Sequence, residues 1–243
     1  MRLDKSAERG VPSMVWRAGQ ERRLAMIHAA AGDRLKGGLV LDVGCGVGTY
    51  MRAFRRFTPH VFGVEIEEER AREASVYGRV TQSPGETLPF SDGSFDLVLS
   101  HEVIEHAADD RAIAVEMVRV LKTAGRLALF CPNRLYPFET HGHYWRGQYH
   151  FGNTPLINYL PNQIRNRLAP HVRAYTMHNL RALFVGLPVR IVTHTQIYPG
   201  YDNVLARYPA LGRLLRRGTY GLERTPLRAF GLSHFLVAEK TLG

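Results

Sequence analysis

Apolar residues along the chain fall into two alternating rhythms. Short runs bounded by turn residues at 39–43, 60–64, 79–82, 95–99 and 126–130 predict strands. Between them, 20–34, 51–57, 67–76 and 109–122 space their apolar residues three and four apart, as in Ile113, Met117, Val118 and Leu121, and predict helices. Strands separated by helices of this length make right-handed βαβ units and a parallel sheet, and ligands of such sheets sit beyond the carboxyl ends of the strands. The rhythm breaks after Pro132. Residues 133–174 are rich in aromatics, His, Asn, Gly and Pro, which reads as an insertion carrying a site rather than as a linker. Helix 178–185 and strand 189–196 restore the pattern, 198–232 interrupts it again, and 234–239 reads as a last strand. The expected fold class is α/β. It is a single doubly wound, Rossmann-like, seven-stranded sheet with helices on both faces. A helical lid lies at 1–36, and insertions at 132–176 and 198–232 lie near the C-terminal strands.

Composition narrows the setting. A chain of 243 residues can bury one large core. No apolar run reaches the ~20 residues needed to span a bilayer, and the first residues carry charges without the apolar core of a secretory signal. Cys45 and Cys131 both end predicted strands, so no structural disulfide is expected and a reducing cytoplasm fits. The formal net charge is +10, and from Phe151 onward 12 Lys+Arg stand against 3 Asp+Glu. That surplus leaves nucleic acid, anionic lipid and acidic substrates open as partners. The 28 Arg against 4 Lys equally fit a GC-rich genome and a solvated face.

The first strand ends in Asp42-Val43-Gly44-Cys45-Gly46-Val47-Gly48, a turn that lets backbone pass close to a ligand. Thr49 stands where a dinucleotide fingerprint would place its last glycine, which argues against nicotinamide. Glu65 ends the second strand, where a carboxylate can accept both hydroxyls of a ribose, and Ile66 follows it. Gly85-Glu86-Thr87 follows the third strand and offers a carboxylate to an adenine amine. Phe95-Asp96-Leu97-Val98 opens the fourth strand, which leads to Ser100. This ordered series resembles the class I methyltransferases that use S-adenosylmethionine (SAM), over residues 39–130. The resemblance implies that Asp42, Gly44, Cys45, Gly46, Glu65, Ile66, Glu86, Thr87 and Ser100 form the SAM site.

Glu102-Val103-Ile104-Glu105-His106 comes next. On a helix, positions 102, 105 and 106 would share one face. Two carboxylates and an imidazole there suit a divalent cation. The segment resembles the metal-dependent O-methyltransferases of ubiquinone biosynthesis and of small-RNA 2′-O-methylation. That resemblance implies Mg²⁺ or Mn²⁺ on Glu102, Glu105 and His106, with His171 as fourth ligand. A Glu-His pair that merely caps the segment or lines the pocket is the competing reading. A cation would lower the pKa of a hydroxyl acceptor, and an imidazole could take its proton. His141 and His143, in the aromatic segment 137–151, are the base candidates.

Diol chemistry and the aromatic insertion favour a sugar or oligosaccharide acceptor, and the chain faintly resembles bacterial polysaccharide O-methyltransferases of the methylmannose type. A phenolic or polyprenyl quinone precursor is the alternative. RNA would need a recognition module that the chain does not show, and a non-catalytic SAM-binding protein would not need the Glu102–His106 set. Met14 to Gly19 could close over SAM with Arg17 near its carboxylate. The basic, leucine-rich stretch 204–217 could touch a membrane surface, although Pro209 and Gly212 argue against one continuous helix.

Overall fold

A computed structural model of the protein describes residues 16–242. Its sheet is built from β1 (Val40–Val43), β2 (Val61–Glu65), β3 (Arg79–Gln82), β4 (Phe95–His101), β5 (Leu121–Pro132), β10 (Val189–Ile197) and β11 (Ser233–Lys240). Their order across the sheet is β10-β11-β5-β4-β1-β2-β3. Helices α1 (Ala18–Ala31), α2 (Thr49–Phe54), α3 (Glu68–Ala74), α4 (Asp110–Val120) and α6 (Met177–Ala182) flank it. The doubly wound α/β reading therefore holds.

Side-chain alternation fills both faces. Along β5, Leu127, Leu129 and Cys131 enter the core packed by Ile113 and Met117 of α4, whereas Ala128 and Phe130 enter the core packed by Leu24 and Ile27 of α1. A strand buried on both sides reads as continuously apolar, which is why these runs were legible in the sequence. Cys45 and Cys131 are free and buried. Among the described residues no helix is long and apolar enough to cross a membrane.

The sheet is not wholly parallel. β11 lies antiparallel between β5 and β10. Neighbouring antiparallel strands need no crossover helix on the sheet face, so 198–232 is free to fold aside as α7 (Asp202–Arg207) and α8 (Pro209–Leu222). The two helices break at Tyr208, with Pro209 opening α8, as the proline position requires.

The first insertion forms a small cap. β6 (Phe138–Glu139) pairs with β9 (Thr154–Pro155), β7 (His143–Trp145) pairs with β8 (Gln148–His150), and α5 (Asn162–Leu168) follows. Arg146 and Gly147 turn the β7–β8 hairpin with φ of 49° and 79°, the left-handed pair that a two-residue hairpin turn demands. Asn133 Nδ2 donates to the carbonyls of Ala229 and Gly231, each at 2.7 Å, and so ties the cap to the segment before β11.

Candidate active site

A cleft of about 860 Å³ opens beyond the carboxyl ends of β1, β2 and β4. Gly44 takes φ 70°, and a Cβ there would lie 2.5 Å from Val103 Cγ2, so glycine is required both for the turn and for its approach to the next segment. The backbone amides of Gly44 and Cys45 donate to the Val64 carbonyl at 2.8 and 3.0 Å, strapping the turn to β2. At the end of β2, Glu65 accepts from Gly46 N at 2.9 Å and from Glu67 N at 3.0 Å. Each carboxylate oxygen keeps a further lone pair for a diol. Ile66, 46% exposed, gives the rim an apolar shelf.

Of the residues expected at a SAM site, Asp42, Gly44, Cys45, Gly46, Glu65, Ile66, Glu86 and Thr87 line this cleft. Ser100 does not. It is buried within β4 beside Val43 of β1, and its hydroxyl has no partner among the described residues. Glu86 is partly engaged, since one oxygen accepts from Ala108 N at 2.8 Å and Asp109 N at 3.4 Å. Burial, reinforced by Glu65, pushes the Asp42 carboxyl up to about 8. Burial also raises the Cys45 thiol, so that thiol stays protonated at neutral pH.

Met14 and Val15 of the expected lid lie outside the described residues. Trp16 packs edge-on against Tyr50 with centroids 5.3 Å apart. Arg17 donates to Asn203 of α7 at 2.5 Å and does not line the cleft. Gln20 and Arg23 of α1 do. The cation that reaches the cleft from this helix is thus Arg23 rather than the expected Arg17 at its N-cap.

The segment after β4 is not the regular helix that the spacing predicts. Glu102 takes φ 55°, and only Ile104–His106 form a single 3₁₀ turn. This splits the expected ligand set. Glu102 accepts from Ser233 Oγ at 2.9 Å and lies 4.0 Å from Arg23. Glu105 is 1% exposed, and neither of its side-chain oxygens has a hydrogen-bond partner among the described residues. Burial and the nearby Glu102 carboxylate raise the Glu105 carboxyl well above its usual range. Burial also works against ionisation of Glu102, but Arg23, His101 and His141 outweigh it and hold that carboxyl below the usual value.

Two imidazoles face Glu105. His106 Nδ1 lies 3.0 Å from the His171 carbonyl, and His141 Nδ1 lies 3.2 Å from Glu139 Oε1. Both partners are acceptors, so each Nδ1 carries the proton and each Nε2 keeps its lone pair. Burial, then His141, holds the His106 imidazole down to about 4. Donor atoms of Glu105, His106 and His141 all lie within 4.8 Å of one another. His141 Nε2 is 3.9 Å from Glu105.

His171 does not join this group. Its Nε2 lies 3.1 Å from the His141 carbonyl, so a proton is directed there, and it serves the site through its own carbonyl to His106. His143 is turned away. It meets Thr154 Oγ1 at 3.0 Å, stacks on His150, and is absent from the cleft lining. Neither Glu139 nor Arg23 stands out in the sequence as a site residue. The one available signal was Glu139-Thr140-His141, an i, i+2 spacing that shares one side of an extended segment.

Comparison with known proteins agrees with this architecture. A methyltransferase-domain family model matches residues 41–129. An uncharacterized methyltransferase of Mycobacterium sp. strain KMS is 38% identical over 122 residues, 49% of this chain and 48% of that protein. The chain thus matches about half of the length of such relatives. A crystal structure of a SAM-dependent methyltransferase from Mesorhizobium loti superposes with a TM-score of 0.62 at 16% identity, covering 89% of this chain and 96% of the other. The YcgJ protein from Bacillus subtilis gives 0.57 at 22% identity, over 92% and 100%. Residues 41–129 thus match the methyltransferase-domain family model, and the chain has the Rossmann-like fold of class I SAM-dependent methyltransferases.

Proposed function

We propose that this chain transfers a methyl group from SAM to a hydroxyl oxygen of a small polyhydroxylated acceptor, with a divalent cation held beside the SAM cleft. The observation that carries the reading is the Glu105 carboxylate. It is buried without a donor and faced by two imidazoles whose Nδ1 protons are committed elsewhere. A buried carboxylate without a partner is costly, and imidazoles oriented by second hydrogen bonds are the usual surroundings of a metal.

The donor set fits a cation. Glu105, His106 and His141 would hold it, with Glu102 adjacent. Two imidazoles move the preference away from Mg²⁺ toward Mn²⁺, Fe²⁺, Co²⁺ or Zn²⁺. Such an ion supplies charge that lowers the pKa of a hydroxyl. The protein's own contributions are separate. Glu65, Ile66 and the glycine turn accommodate SAM, which supplies an activated methyl group. Arg23 offers a cation to the cofactor's carboxylate. Tyr149 and Phe151 line the cleft beside Thr140 and His141, giving an aromatic wall with polar tips that suits a sugar ring.

A phenolic or quinone-type acceptor is the second reading. It is favoured by Phe151, which is 74% exposed while lining the cleft.

The test titrates Mn²⁺, Zn²⁺ and Mg²⁺ by calorimetry. It also follows methyl transfer to oligosaccharides, catechols and RNA with and without EDTA. One bound ion per chain, lost in Glu105→Gln, together with EDTA-sensitive turnover on a saccharide, supports the reading. Turnover on a catechol instead selects the second acceptor class. Turnover indifferent to EDTA removes the metal and leaves His141, oriented by Glu139, as a general base.

A further inference from the structure

We propose that α7 and α8, with the adjoining turn at Pro226–Phe230, form a docking face for an anionic lipid bilayer. Helix α8 buries only Gly212, where a Cβ would meet the Leu205 backbone at 2.5 Å, so it is seated on α7 by close backbone contact. Much of its remaining surface faces outward. Leu214 is 68% exposed and Leu211 48%, one helical step apart at i, i+3, and Tyr208 before them is 53% exposed. Leu227 and Phe230 of the turn are also exposed.

The charge on this face has one sign. Exposed charged side chains between 203 and 230 are Arg207, Arg213, Arg217, Arg224 and Arg228, and none of them makes an ion pair among the described residues. The region's two carboxylates are engaged. Asp202 is held by Arg216 at 2.8 Å and by Gly19 N, and Glu223 by Arg22 and by Tyr198 N at 2.8 Å. Arg213 and Arg217, at i, i+4, flank the exposed leucines.

Three partners could cover such a surface, and the chemistry separates them. A second copy of the chain would bring five unpaired arginines against five. A nucleic acid would use the guanidinium groups but has no use for Leu211 and Leu214 standing in water. An anionic bilayer takes both, with apolar side chains in the acyl boundary and guanidinium groups at the phosphates.

The experiment floats the full chain with vesicles of phosphatidylcholine alone and of phosphatidylcholine mixed with phosphatidylglycerol. Binding is expected only to the mixed vesicles. It should fall about tenfold or more in both Leu211→Glu/Leu214→Glu and Arg213→Glu/Arg217→Glu, with melting temperature and SAM affinity unchanged. Three results would overturn the proposal. The first is no binding to the mixed vesicles. The second is single-stranded RNA binding, measured by anisotropy, that depends on the arginine pair while vesicle binding ignores the leucine pair. The third is a dimer in light scattering that the leucine pair dissolves.

Discussion

Buried Glu139 accepts from both the backbone amide and Nδ1 of the half-buried His141, at 2.9 and 3.2 Å. The other oxygen of Glu139 takes Arg165 at 2.8 Å. Burial alone would raise the Glu139 carboxyl, but His141 and Arg165 outweigh it and hold it at about 2. The pair fixes one imidazole tautomer and aims Nε2 at Glu105, whether a cation or an acceptor proton is met there.

Glu139→Gln tests that relationship. Buried Arg165 loses its counter-charge, which costs about 3 kcal/mol, and the His141 tautomer is no longer imposed. Unfolding by denaturant should show the loss. Turnover should fall at least about tenfold with SAM affinity kept. Unchanged turnover in a folded variant would mean that the His141 tautomer does not matter.

The two histidines once equivalent as candidates should separate. His141→Ala is expected to lower kcat by about 10²-fold or more, while His143→Ala stays within about threefold, since His143 meets only Thr154 and His150 outside the cleft. Calorimetry should find SAM binding in both. Equal losses would refute the assignment.

Glu65→Ala removes the acceptor that also holds Gly46 N and Glu67 N. Loss of two charge-assisted hydrogen bonds predicts SAM affinity weaker by on the order of a hundredfold. Isothermal titration reads this directly, and an unchanged Kd would take Glu65 out of the cofactor site.

Asp42 predicts a pH dependence. Its folded-state pKa is raised from 3.8 to about 8, first by burial and then by Glu65. The folded state therefore holds a proton that the unfolded chain releases. Stability from this group is fully present below about pH 4 and is lost as pH rises toward 8. Asp42→Asn should remove that slope from the SAM-free protein and raise its melting temperature at pH 8 by several degrees. Parallel melting curves for the two proteins from pH 4 to 8 would contradict the shift.

Local chemistry made the first half of the chain legible. Strands buried on both faces must be apolar throughout, and amphipathic helices must repeat every three or four residues, so the order of elements from β1 to β5 could be read from one sequence. The glycine turn and Glu65 were legible for the same reason. Each is a short-range consequence of a strand ending where a ligand can approach. The misplaced features all depend on long-range partners. Ser100 is sealed by the neighbouring strand β1, which periodicity does not report. Glu102 falls outside the Glu105–His106–His141 group because a left-handed residue and a 3₁₀ turn replace the expected helix and it turns to Ser233 and Arg23. The antiparallel placement of β11 rests on pairing between strands distant in sequence.

The amino-acid sequence by itself determined the doubly wound α/β scaffold, the cleft at its strand ends and the residue types around it, because those follow from side-chain period and turn chemistry. Tertiary structure alone decided which histidine faces Glu105. His141 and His171 sit in irregular segments, where ring orientation is set by the acceptors each nitrogen finds: Glu139 for one and a backbone carbonyl for the other. The acceptor of His141 is only two residues away, but the meeting of His141 with Glu105 and of His171 with the His141 carbonyl comes only when the cap packs against the sheet.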